Sequence, residues 1–178
     1  NLDALARKPY EILFVDGNHE GFDYLVQYPE EIRYGAPVRR IRDNIFWLQR
    51  GDIYTIEGKT FFTMGGAYSM DKAFRCMFHE AGGEKIWFEQ EMPTEVEYRR
   101  AGDTLTKAGM KVDYIITHTA PTVIVPQVIG VAPDTHEKPL TRFLHWIYQD
   151  VDFKKWYFGH FHTDMQVNEQ MIACLKQL

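Results

Sequence analysis

The chain has 178 residues, 45% of them hydrophobic and 25% charged, with a formal net charge of -5 and a pI near 5.8. That length and apolar content suit one domain with a sizeable core. The acidic balance disfavours a general grip on nucleic acid, which needs a basic face, and no apolar run approaches the roughly 20 residues of a membrane helix.

Residues 2–8 read as the tail of a helix stopped by Pro9. Residues 11–15 (EILFV) form a short apolar run bounded by turn residues, the pattern of a buried strand. Asp16-Gly-Asn-His-Glu20 follows as a loop, and residues 22–27 as a short helix. Strands are expected over 38–42, 45–49, 52–56 and 60–64, with tight turns at Asp43-Asn44 and Glu57-Gly58-Lys59. After the break at Gly65-Gly66-Ala67, a helix is expected over 71–79. The clearest helix covers 94–108: Thr94 and Glu97 make a capping box, and Gly109 is a natural stop. Residues 113–117 (DYIIT) are a second buried strand, and 118–138 a proline-rich loop. Pro139 opens a helix to about residue 149, in the favoured first position. Residues 155–158 are a third strand, running into Gly159-His160-Phe161-His162, and a hairpin turns near Asn168-Glu169.

This order predicts an α/β chain with a mixed sheet system. In such sheets ligands sit beyond the carboxyl ends of strands. Asn18 with His19, His118, and His160 with His162 all fall at that kind of position. A lone His after a strand is ordinarily a surface residue, and a lone His-x-His usually binds nothing. Several such clusters in one chain point to a site, and imidazole nitrogens suit borderline cations. Other features carry less weight. Arg39, Arg40 and Arg42 read as a solvated strand face, Arg50-Gly51-Asp52 as a turn, and Asp134-Thr135-His136 as part of the loop. Residues 87–93 read as a plain loop, with a flap as the lesser alternative, and Tyr68 and Ser69 equally as a tight turn or as pocket lining. Cys76 and Cys174 lack CxxC spacing, so a reduced, cytoplasmic setting is expected.

Gly17-Asn18-His19-Glu20, Thr117-His118-Thr119 and Gly159-His160-Phe161-His162 stand in the order and character of motifs in the calcineurin-like metallophosphoesterases, and the chain resembles that family, in a bacterial or phage form. The stretch 61–71, with Gly65-Gly66-Ala67, Ser69 and Asp71, resembles it too. The resemblance implies a β-sandwich flanked by helices in four layers (α/β/β/α) and a single domain over residues 1–178. It implies that Asn18, His118 and His160 bind one divalent ion and His162 another, with His19 beside the scissile phosphate. It further implies Mn, Fe, Zn or Ni as the metal and hydrolysis of a phosphorylated substrate whose class stays open.

The sequence departs from the family in one respect. The family's DxH and GDxxD motifs, the second of which supplies the carboxylate bridging two metals, do not precede Gly17. The expectation is therefore a half-site: at most one well-bound ion, low activity of this chain alone, and a first strand-helix-strand segment lying outside these residues. Asn1 in place of an initiator Met points the same way. The sheet edge so exposed would be covered by a partner, a second copy of the chain among the candidates. Two other readings stay open: a non-catalytic scaffold of the same fold, and a mononuclear metal hydrolase.

Overall fold

The computed structural model describes residues 2–175. Its elements run α1 (Leu2–Ala6), β1 (Ile12–Phe14), α2 (Phe22–Leu25), β2 (Glu30–Arg33), β3 (Ala36–Arg42), β4 (Ile45–Leu48), β5 (Ile53–Ile56), β6 (Lys59–Met64), α3 (Lys72–Glu80), a 3-10 turn (Glu89–Glu91), α4 (Glu95–Lys107), β7 (Tyr114–Thr117), α5 (Val125–Ile129), α6 (Lys138–Asp150), β8 (Lys155–Phe158), β9 (Met165–Gln166) and β10 (Met171–Ala173).

The strands form two sheets, ordered β1-β4-β3-β2 and β5-β6-β7-β8-β10-β9. In the second sheet β6, β7, β8 and β10 are parallel neighbours; in the first, β1 runs parallel to β4. The sheets pack face to face. Val38, Phe46 and Leu48 of the first sheet meet Tyr54 of the second in one buried cluster. The Tyr54 hydroxyl donates to Pro37 O at 2.6 Å and accepts from Gln49 N–H at 2.7 Å, so the junction is pinned by polar bonds as well. β4 is buried on both faces, because alternate residues point opposite ways along a strand: Phe46 and Leu48 face the second sheet, while Ile45 and Trp47 pack with Phe22, Leu25 and Phe88 on the outside. On the far side of the second sheet, Ala101 and Leu105 of α4 and Leu140, Leu144 and Ile147 of α6 cover Phe62, Ile115, Trp156 and Phe158. The result is two sheets flanked by helices, the architecture expected.

The capping box is formed: Glu97 N–H donates to Thr94 Oγ1 at 3.3 Å and Thr94 N–H to Glu97 Oε2 at 2.7 Å. Gly109 closes the helix at φ +69°, a backbone region that favours glycine. Arg39 and Arg40 lie against Glu30 and Glu31 across β2 and β3, at 3.5 and 2.9 Å. One expectation is corrected: the proline-rich loop contains α5. Residues 87–93 are not a flap. Phe88 is 5% exposed within the outer core, and Glu91 O accepts from Ala67 N–H at 3.1 Å, so this segment is tied to the body. β1 is an edge strand, and Ile12 and Phe14 border an apolar groove with Leu2, Leu5, Tyr24 and Leu25. Among the described residues, no helix is long and apolar enough to cross a membrane.

Candidate metal centre

The parallel strands deliver the site. β1 leads into Asp16-Gly17-Asn18-His19, β6 into Gly65-Gly66, β7 into His118, and β8 into Gly159-His160. Asn18, His19, His118, His160 and His162 all line one cleft of about 530 Å³. Tyr68, Met70, Ile129, Val131, Ala132 and Pro133 form an apolar wall to it.

Close approach explains the glycines. A Cβ on Gly17 would stand 2.8 Å from His118 Cε1, and one on Gly65 would overlap the Asp16 carboxylate. Gly66 N–H donates to Asp16 O at 3.0 Å, which joins the β1 and β6 loops beneath the site. Asp16 is fully buried and takes Arg50 Nε at 2.9 Å and Nη2 at 2.5 Å, while Trp47 Nε1 donates to its other oxygen at 3.0 Å. This buried pair anchors the Asn18 loop to β4. It also removes Arg50 from the surface, at 5% exposure, so the Arg-Gly-Asp triplet is not displayed.

Asn18, 3% exposed, is the hub. Its Nδ2 donates to Ser69 Oγ at 3.0 Å, which fixes the amide so that Oδ1 faces His118 Nε2 at 3.0 Å. Two donor atoms bound to one ion at about 2.1 Å, at right to tetrahedral angles, lie about 3.0–3.4 Å apart. The observed spacing therefore suits two ligands of one ion as well as a hydrogen bond. The His118 and His160 ring centroids are 5.2 Å apart. His160 and His162 both have positive φ, +68° and +51°. That left-handed backbone is uncommon outside glycine and tends to be held where a site requires it.

Burial governs the protonation states. Desolvation first, then the neighbouring imidazoles His160, His19 and His162, push His118 down to about 3. Desolvation, then His19 and His162, push His160 down to about 4. Both rings are neutral at pH 7 and can offer a lone pair. His19 is also lowered, by burial first and then by Arg75. Its Nε2 lies 3.3 Å from Asn18 Nδ2 and 3.4 Å from Arg75 Nη2, both donors, so that nitrogen is an acceptor. The carboxyl groups around the cleft shift the other way. Burial raises Glu20 and Glu137, and a nearby acid adds to each: Asp16 and Asp134 respectively. Neutral imidazoles surrounded by crowded acids favour a cation.

A divalent ion fits this donor set of imidazole nitrogen and amide oxygen. Asn18, His118 and His160 are the residues of the cleft that could hold it. His162 lines the same cleft, close enough to His19, His118 and His160 to count among the neighbours that disfavour their protonation. Among the described residues, no three side chains of His, Cys, Asp or Glu stand around one point closely enough to enclose an ion, so a centre here leans on the Asn18 amide. The Asp134 and His136 side chains bond each other at 2.9 Å, and His136 stacks on Tyr68 at 4.7 Å, which accounts for that pair locally.

Sequence reasoning missed Arg75, Glu91 and Glu137. Arg75 is held by Asp71 at 2.8 Å and Ile86 O at 2.7 Å, with its remaining arm on His19. The Asp71–Arg75 spacing of four on an amphipathic helix was the available signal.

Neutral imidazoles and a buried amide thus stand together in one cleft at the ends of the strands of an α/β sandwich. Residues 1–164 match the model of the calcineurin-like phosphoesterases. The chain belongs to that family, whose function is metal-dependent phosphoester chemistry. No curated protein matches the chain.

Proposed function

We propose that this cleft hydrolyses a phosphomonoester or phosphodiester, with Asn18, His118, His160 and His162 as metal ligands and His19 as the residue facing the reacting phosphate. The observation that carries the reading is the Asn18–His118 contact at 3.0 Å beside a neutral His160. A bound divalent ion supplies charge neutralisation and a hydroxide at neutral pH. The protein's own part is positional. Ser69 and the Asp16–Arg50 pair hold the Asn18 loop, and Gly17 lets that loop approach His118. His19, kept neutral by burial and Arg75, presents one acceptor nitrogen and leaves its other nitrogen as a donor towards a phosphoryl oxygen or leaving group. The apolar wall suits a leaving group with an apolar or planar body.

The half-site reading belongs to the same proposal. In that reading Asn18, His118 and His160 serve one ion, and His162 is a single ligand of a second. The test is hydrolysis of p-nitrophenyl phosphate and its bis-ester with Mn²⁺, by this chain alone and preceded by a DxH…GDxxD segment of the family. Turnover should be low alone, rise with the segment, and vanish on His160→Ala. Turnover indifferent to His160→Ala, or to removal of the metal by a chelator, refutes the assignment.

A further inference from the structure

Glu137 has figured so far only as one of the acids beside the cleft. It is 5% exposed and stands just before α6, where it makes no helix-capping bond. The Thr119 hydroxyl and the Tyr68 N–H lie against its carboxyl. Its Oε1 is buried and has no hydrogen-bond partner. A buried charged oxygen without a partner is expensive, so it calls for a reason. The same oxygen faces His160 Nε2 at 3.7 Å, and Glu137 lines the cleft with His118 and His160.

We propose that Glu137 is the positioning carboxylate of His160: it accepts a hydrogen bond from Nε2–H and so keeps the proton on that nitrogen, turns the ring, and leaves Nδ1 as the lone pair offered to a cation. The inference rests on the site reading above and deepens it.

Three observations support it. First, metal-ligating histidines almost always give their other ring N–H to a carboxylate or carbonyl, and loss of that partner costs 10–100-fold in affinity. Second, the 3.7 Å gap lies just beyond a hydrogen bond, and such contacts tighten when a ligand draws the ring into place. Third, His160 sits in left-handed backbone at φ +68°, so its ring direction is not set by ordinary strand geometry and needs an outside hold. Glu137 also brings a negative charge next to a donor set that is otherwise neutral.

The test compares the wild-type chain with Glu137→Ala, Glu137→Gln and His118→Ala. Imidazole ¹⁵N shifts in metal-free protein report which nitrogen of His160 carries the proton. The wild type should hold Nε2–H, Gln should retain it through its amide oxygen, and Ala should give a mixture. Zn²⁺ affinity, measured by competition with a chromophoric chelator, should fall 10–100-fold for Ala and less for Gln. A Glu137→Ala chain with unchanged His160 tautomer and Zn²⁺ affinity within about 2-fold of wild type overturns the inference. If His118→Ala weakens Zn²⁺ in that same experiment, the metal-site reading survives and only the role of Glu137 falls. If the wild type and His118→Ala bind Zn²⁺ equally poorly, the site reading itself fails and takes Glu137 with it.

Discussion

Glu91→Gln should stabilise the protein at neutral pH and leave it nearly unchanged in acid. Glu91 is 2% exposed, and both of its carboxyl oxygens are buried. Burial is the largest influence, and it raises the carboxyl from 4.5 to about 7, against the pull of Ser69, Arg75 and the Phe88 N–H. Because the folded value lies above the unfolded one, the unfolded chain gives up this proton near pH 4.5 while the folded chain keeps it until about pH 7. The contribution to stability is whole below the lower value, is lost as pH rises between the two, and is flat above. A rise from 4.5 to about 7 is worth at most about 3 kcal/mol at about 1.4 kcal/mol per pH unit. Relaxation of the surroundings around the buried carboxylate brings the expected difference to about 1–2 kcal/mol. Glutamine keeps the size and the acceptor but cannot ionise. Urea unfolding of both proteins between pH 4.5 and 8 measures the effect. The two curves should coincide at the acid end and separate by about 1–2 kcal/mol by pH 8, or about 2–8 °C in Tm. A difference that stays constant with pH would refute the reasoning, since it would mean Glu91 keeps one charge state throughout.

Other expectations follow from the same geometry. Asp16→Asn strips the charge from the buried partner of Arg50 and should cost about 3–5 kcal/mol, read by denaturant unfolding, because an unpaired buried guanidinium is left behind. Gly17→Ala puts a methyl group 2.8 Å from the His118 ring and should weaken metal affinity by about 10-fold or more, as seen by calorimetric titration, with a smaller loss of stability. Thr94→Ala removes the α4 cap and should cost about 1 kcal/mol without changing metal affinity, which makes it a control for nonspecific destabilisation.

The strands that carry the site were legible because they read as short apolar runs: residues 12–14, 114–117 and 155–158 each precede a polar cluster. The α4 boundaries were legible from side chains adjacent in sequence, Thr94 and Glu97. β2 was not, because an edge strand reading Glu-Glu-Ile-Arg carries charge to solvent and Ile32 is 72% exposed, which erases the apolar alternation. α5 was hidden by a proline at its start and by its shortness. Asn18, His118 and His160 stood out by residue type and position. Glu137 and Arg75 did not, since their meaning comes from contacts with His160 and His19 that lie far away in the chain. Glu91 lies in a segment without regular periodicity, and its burial comes from packing of Phe88 and the Ala67 N–H bond.

The measurement that reaches the centre of this account is Mn²⁺ binding to the purified chain at pH 7, followed by electron paramagnetic resonance with His118→Ala beside it. One ion per chain in the wild type, with ¹⁵N-histidine hyperfine coupling and loss of both signal and affinity in the variant, is the predicted result. Equal binding by the two proteins, or no binding by either, would contradict it.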